Sequence, residues 1–206
     1  MTVDPAEAQR RLVRDIRGSG RPESDIVPPA NWPVLQGSLC HLRVLVEEDA
    51  PLWRGAEDDW QFVADPNKEF YGPGRDVSIE MEIRRRRVAW ALGGGLRHWG
   101  IWTTPGADLA GGVALRPAGL GGSVPLTAVT WVVWQQFYSV DFAAEVLRLA
   151  ASWALENLPP ADVVVLLPET ASVDEQVLAA AGFAFDGPPN PWEAGRIRFR
   201  FQGPRV

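Results

Sequence analysis

Residues 126–157 read LTAVTWVVWQQFYSVDFAAEVLRLAASWALEN. The first nine are almost wholly apolar, as expected of a central strand covered on both faces. From Phe142 onward, Phe142, Val146, Leu149, Ala150 and Trp153 recur near helical spacing. Pro159 and Pro160 stop that helix, and ADVVVLL at 161–167 reads as a second buried strand. A strand, a helix and a strand in this order form a right-handed parallel crossover by default. The turn from the first strand into the helix is a common place to hold a phosphate on free helix amides. Such turns are usually rich in glycine and often basic. This one has neither, and it carries Asp141.

Working outward, SVDEQVLAAAG (172–182) reads as a short helix and FAFDG (183–187) as a short strand. RIRFRFQ (196–202) is a final strand with clean alternation of Ile197, Phe199 and Phe201. Upstream, RHWGIWTT (97–104) and LAGGVALRP (109–117) form a hairpin around the turn PGAD (105–108). VSIEMEIRRRRVAWAL (77–92) is helical and is stopped by Gly93–Gly95. Residues 65–76 are turn-rich, residues 50–64 look helical, and residues 37–49 alternate as a strand does. Residues 4–17 read as a helix, with Asp4 as N-cap, Pro5 in the first position and Glu7 completing a capping box. A proline-rich strap at 18–36 follows. The organisation expected is an extension at 1–36 and one α/β (α+β) domain at 37–206.

Composition limits the function classes. Apolar residues make up 46% of the 206, enough for a sizeable core. The formal charge of −6 argues against a nucleic-acid partner. The one basic run, Arg84–Arg87, spreads around its helix at about 100° per residue and reads as a solvated surface. Cys40 is the sole cysteine, which excludes an internal disulfide and fits a reducing compartment. With only His41 and His98 beside it, no metal site is expected. His98 is weighed as a substrate-side base against a strand-end residue. No signal-type segment and no run near the ~20 apolar residues of a membrane span is present, so the expectation is a soluble cytoplasmic protein with no membrane partner. Ten tryptophans read mainly as core packing, with a subset free to line a pocket. GLGG at 119–122 has no helix start after it and reads as a connection between strands.

The order of elements resembles the GNAT superfamily of N-acetyltransferases over roughly residues 37–202. It is nearest to the branch that acetylates ribosomal-protein N-termini. LRVLVEEDAPLW (42–53) is similar to that branch's first strand and helix entrance, GGVALRP (111–117) to its "G-x-x-L-R-P" strand, and VLRLAASWAL (146–155) to the helix after the cofactor loop. LLPETASVDEQVLAAAGF (166–183) is similar to the segment that ends in Gly-Phe. The resemblance implies a mixed, mostly antiparallel sheet, helices on both faces, and a splayed parallel pair formed by strands 126–134 and 162–167.

The resemblance also implies acetyl-CoA or another acyl-CoA as donor. Its pantetheine would lie along exposed backbone groups of the first parallel strand, at Val132 and Val133. The family holds the diphosphate on a loop of pattern (Arg/Gln)-x-x-Gly-x-(Gly/Ala). That pattern falls on Tyr138, Ser139, Val140, Asp141, Phe142 and Ala143, of which only Ala143 fits. The glycine position is Asp141. Two like unit charges at 4 Å repel by about 4 kcal/mol at an effective dielectric near 20, equivalent to ~1,000-fold in affinity. The alternative role for Asp141 is the N-cap of helix 142–157, worth about 1 kcal/mol. As a cap it would take up amides that a phosphate needs.

Other positions depart from the family as well. Its asparagine matches Ala171 or Ser172, a common tyrosine falls at Leu178, and a frequent glutamate falls at Ala128. Glu169, at the end of strand 162–167, is the candidate general base. Trp131 and Trp134 are three apart on one strand and point to opposite faces; one is expected in the core and the other at the acceptor pocket. Two functions follow. The first is N-acyl transfer to a small-molecule amine or a peptide N-terminus. The second is a GNAT-fold protein that makes no use of acetyl-CoA, either a lyase- or cyclase-type enzyme or a non-catalytic partner subunit. A homodimer is left open.

Overall fold

The computed structural model describes residues 32–54, 79–91, 93, 95–121, 124–168, 175–187 and 196–203. In chain order the elements are β1 (Leu35–Gln36), β2 (Cys40–Arg43), α1 (Ala50–Arg54), α2 (Ile79–Ala91), β3 (Arg97–Thr103), β4 (Leu109–Gly121), β5 (Val124–Val133), α3 (Val140–Asn157), β6 (Asp162–Pro168), α4 (Glu175–Ala181), β7 (Phe183–Phe185) and β8 (Arg196–Phe201). The expected helix at 4–17, the strap as far as residue 31, and residues 55–76 lie outside the described residues.

The strands form one sheet in the order β1-β2-β3-β4-β5-β6-β8-β7. Only β5 and β6 pair in parallel; the other neighbours are antiparallel. The long helix starts at Val140, two residues before the expected Phe142. Leu35–Gln36 pairs with His41 and Leu42, so the sheet begins inside the segment read as strap. Gly119–Gly121 belong to the end of β4, with Gly121 facing Val124, so the GLGG stretch is largely strand and not connection.

Period-two alternation sorts the sheet into two faces. On one, Trp99, Ile101, Val113, Trp131, Val133 and Phe199 pack with α3 and α4. On the other, Trp102, Leu109, Val132 and Trp134 pack with Leu45, Trp53 of α1 and Ile83 of α2. β8 shows the same logic with charge. Ile197, Phe199 and Phe201 join the α3 side, while Arg198 and Arg200 lie opposite, both on Asp186 at 2.7 and 2.9 Å. Four tryptophans lock the start of the sheet. Trp99 meets Trp90 and Trp153 edge-on at 4.9 and 5.0 Å between ring centres, and Trp32 meets Trp90 at 5.0 Å.

Candidate active site

β5 and β6 pair only through Leu126–Asp162, Thr127–Val163 and Ala128–Val164. Past Ala128, β5 stays on β4 as far as Val133. Past Val164, β6 stays on β8 as far as Pro168. The two parallel strands therefore part, and a fork opens between their C-terminal halves.

Backbone parity says which groups face the fork. The Trp134 amide donates to the Ala110 carbonyl at 2.9 Å, and Gly111 faces Val133 in register. Antiparallel partners alternate between bonded and non-bonded pairs. Trp134 and Val132 thus turn their backbone groups toward β4, whereas Trp131 and Val133 turn theirs toward the β6 side. Of the two valines expected to meet a donor, Val133 faces the fork and Val132 is held in the β4 ladder. Gly111 makes that ladder tight: a Cβ there would lie 2.0 Å from the Val132 carbonyl oxygen.

The chain leaves β5 through a 3₁₀ turn at Gln135–Phe137 and enters α3. Ser139 is the N-cap: extended in its backbone, it accepts the Phe142 amide on its hydroxyl at 3.2 Å. Its carbonyl accepts the Ala143 amide at 3.0 Å. Asp141 is therefore not the cap. It stands in the first helical turn, exposed, and its side chain makes no hydrogen bond among the described residues. The amides of Val140 and Asp141 likewise have no partner among the described residues, and first-turn amides point out of the helix end. Tyr138 is half-buried, whereas Phe142 and Ala143 are buried in the core. The fork edge at Trp131 and Val133 thus leads through one short turn to two free amides at the positive end of an 18-residue helix.

Solved structures share this architecture. An acetyltransferase from Agrobacterium tumefaciens is 18% identical, with a TM-score of 0.58 over 84% of this chain and 95% of that one. A GNAT-family acetyltransferase from Bacillus anthracis is 11% identical, with a TM-score of 0.54 over 82% and 96%. The ribosomal-protein-S5-alanine acetyltransferase of Vibrio fischeri is 9% identical, with a TM-score of 0.61 over 82% and 96%. The chain has the GNAT fold. No family model matches it, and no curated protein does.

Within the GNAT fold the remaining candidates fall as follows. Trp131 and Trp134 point to opposite faces, and both rings are buried, Trp131 on the α3 side and Trp134 against Trp53 at 5.9 Å. Glu169, Ala171 and Ser172 lie outside the described residues. Leu178 is buried under α3. His98 is buried within β3, and burial, reinforced by the Arg86 charge, holds its pKa well below the ordinary imidazole value. It stands second in β3, the strand-end position expected, with a neutral side chain in the core. The arginine run divides. Arg84 and Arg85 are exposed, while Arg86 pairs with Glu82 at 3.0 Å and Arg87 with Glu47. The run is thus only half a solvated surface. Burial, together with the nearby Glu145 carboxylate, pushes the Cys40 thiol up and keeps it protonated. Among the described residues no cluster of metal-ligating side chains occurs, and no helix is long and apolar enough to cross a membrane.

One functional candidate has no local signal in the sequence. Glu145 of α3 binds the Ser38–Cys40 turn, more than a hundred residues away. A glutamate in the second turn of an amphipathic helix looks like any solvent-side residue until the chain is folded.

Proposed function

We propose that the chain is an acyl-CoA-dependent N-acyltransferase. Its donor is acetyl-CoA or another acyl-CoA, and its acceptor is the amine of a small molecule or a peptide N-terminus. The observation that carries this is the fork. Among the described residues, an unpaired strand edge at Trp131 and Val133 runs to the unbonded amides of Val140 and Asp141. Such an edge suits the amides of an extended pantetheine, and a helix N-terminus suits a diphosphate. These contacts are made by backbone, so they tolerate the unusual side chains of the loop. With Ser139 as cap, the Asp141 carboxylate leaves the first two amides of α3 to a ligand. A fit to the donor requires that carboxylate to turn toward solvent.

The bound donor supplies an activated thioester carbonyl. The acceptor nitrogen forms the new C–N bond as the C–S bond breaks; the sulfur leaves with that electron pair as the CoA thiolate, and the proton lost by the amine is taken by a base, for which Glu169 is the candidate, and ends on the thiolate. That the structural neighbours are acetyltransferases, one of them of a ribosomal protein's alanine, supports a peptide N-terminus among the acceptors.

Asp141 favours a second reading, a GNAT-fold protein that does not use acetyl-CoA. Calorimetric titration separates the two. The transferase reading expects binding at sub-millimolar acetyl-CoA; no heat at millimolar concentration would overturn it in favour of the second.

A further inference from the structure

The carboxylate of Glu145 accepts four hydrogen bonds from a single turn. Oε1 takes the Ser38 amide at 2.9 Å and the Ser38 hydroxyl at 2.6 Å. Oε2 takes the amides of Leu39 at 2.7 Å and Cys40 at 3.0 Å. Three successive amides converging on one anion form a nest. The turn fits closely around its occupant: a Cβ on Gly37 would lie 2.6 Å from the Glu145 carboxylate and 2.9 Å from the Cys40 carbonyl oxygen, so it would displace the carboxylate from the nest.

The rest of α3 is seated by apolar packing, with its largest aromatic anchor, Trp153, in the C-terminal half. Its buried face mixes Phe142, Val146 and Leu147 with five alanines, and Trp153 packs its C-terminal half against Trp99 and Trp90. Apolar burial is itself non-directional. Hydrogen bonds are directional and resist sliding. Glu145 lies one turn beyond Asp141, so its four bonds hold the N-terminal end of the helix, the end that carries the two free amides.

We propose that Glu145 is a positioning residue for the donor site. By pinning α3 to the Ser38–Cys40 turn, it sets where the Val140 and Asp141 amides stand relative to the Trp131–Val133 edge, and hence how well the donor's diphosphate is held. The inference rests on the transferase reading above.

The test compares dissociation constants for two probes, acetyl-CoA and acetyl-pantetheine, which lacks the diphosphate. The proteins are wild type, Glu145→Gln, Glu145→Ala and, as a control that perturbs α3 away from the nest, Trp153→Leu in its C-terminal half. Glu145→Ala is expected to weaken acetyl-CoA by about tenfold or more while acetyl-pantetheine changes by less than about twofold. Glu145→Gln, which keeps part of the nest occupied, is expected to fall between, and it carries the test if the alanine variant does not fold. Added formate or acetate is expected to refill the nest of Glu145→Ala and recover part of the acetyl-CoA affinity. Equal weakening of both probes, an unchanged acetyl-CoA affinity, or the same selective loss in Trp153→Leu would overturn the positioning role. Wild type that binds neither probe would instead remove the transferase reading on which it stands.

Discussion

The Ser139 hydroxyl accepts the Phe142 amide at 3.2 Å, and this bond decides what the turn before α3 is free to do. Had Asp141 been the cap, the helix would begin at Phe142 and a carboxylate would occupy its first amides. With Ser139 as cap, the helix begins earlier, and the acid becomes a first-turn side chain whose charge merely complements the helix dipole.

This difference is measurable as stability. Ser139→Ala should cost about 1 kcal/mol, the usual value of a lost N-cap, or roughly 2–4 °C in Tm for a chain of this size. Asp141→Ala should cost less, about 0.3–1 kcal/mol, because it loses only the dipole interaction. Urea unfolding of the two variants side by side checks the ranking. A larger loss in Asp141→Ala would mean that the aspartate is the cap after all.

The same turn governs donor affinity. Asp141→Asn keeps the side-chain size and removes the charge, so acetyl-CoA should bind more tightly. The gain should reach at most ~1,000-fold, the value for charges 4 Å apart, and be smaller in proportion as the carboxylate points away. It should shrink with added salt, which screens an exposed charge. Calorimetry at two ionic strengths measures both effects. An affinity that is unchanged at low salt would show that Asp141 and the diphosphate never approach.

Most of the fold was legible because its signals are local. The apolar run at 126–134, the helical spacing from Phe142, and the alternation of Ile197, Phe199 and Phe201 each reflect how one element buries one face. The opposite orientation of Trp131 and Trp134 followed from the same period. The cap was missed by two residues because serine and aspartate are both strong N-caps, and both precede the apolar run here. The split of Arg84–Arg87 could not be read from helical spacing, since Arg87 is drawn in by Glu47 from another element. The choice of Val133 over Val132 depends on strand register, which no single segment encodes. Glu145 depends on a turn at the opposite end of the domain.

Two buried or anchored groups should make stability fall in steps as pH drops. His98 has a folded pKa well below its ordinary 6.5, through burial and then Arg86. The unfolded chain therefore takes up a proton that the native state refuses, and stability declines as pH falls below 6.5, by at most about 1.4 kcal/mol per pH unit for one proton. Burial pushes Glu145 up, but bonds from the Ser38 hydroxyl and the Ser38, Leu39 and Cys40 amides outweigh it, so its folded pKa lies below the ordinary 4.5. Its contribution is complete above 4.5 and is lost as pH falls through the lowered folded value. Unfolding free energies measured from about pH 7.5 down to about pH 2 should show the first decline vanish in His98→Phe and the second, below 4.5, in Glu145→Gln. A wild type equally stable at about pH 7.5 and pH 5 contradicts the first assignment.

Gly111 tests the tight ladder that aims the fork edge. Its φ is +151°, and a Cβ there would meet three backbone atoms: the Val132 carbonyl oxygen at 2.0 Å, the Val132 carbonyl carbon at 2.9 Å and the Val133 Cα at 3.1 Å. None of these can rotate aside as a side chain can, so Gly111→Ala must push β4 from β5. Overpacking and backbone strain together should cost about 3 kcal/mol or more. The damage should also be local. The Trp134 amide, which donates to Ala110 beside the clash, should lose its protection from hydrogen exchange. Trp131 and Val133 flank Val132, so donor affinity should fall along with stability. A variant as stable as wild type to within about 0.5 kcal/mol, with Trp134 still protected, would mean that β4 and β5 do not approach so closely and that another feature directs the edge.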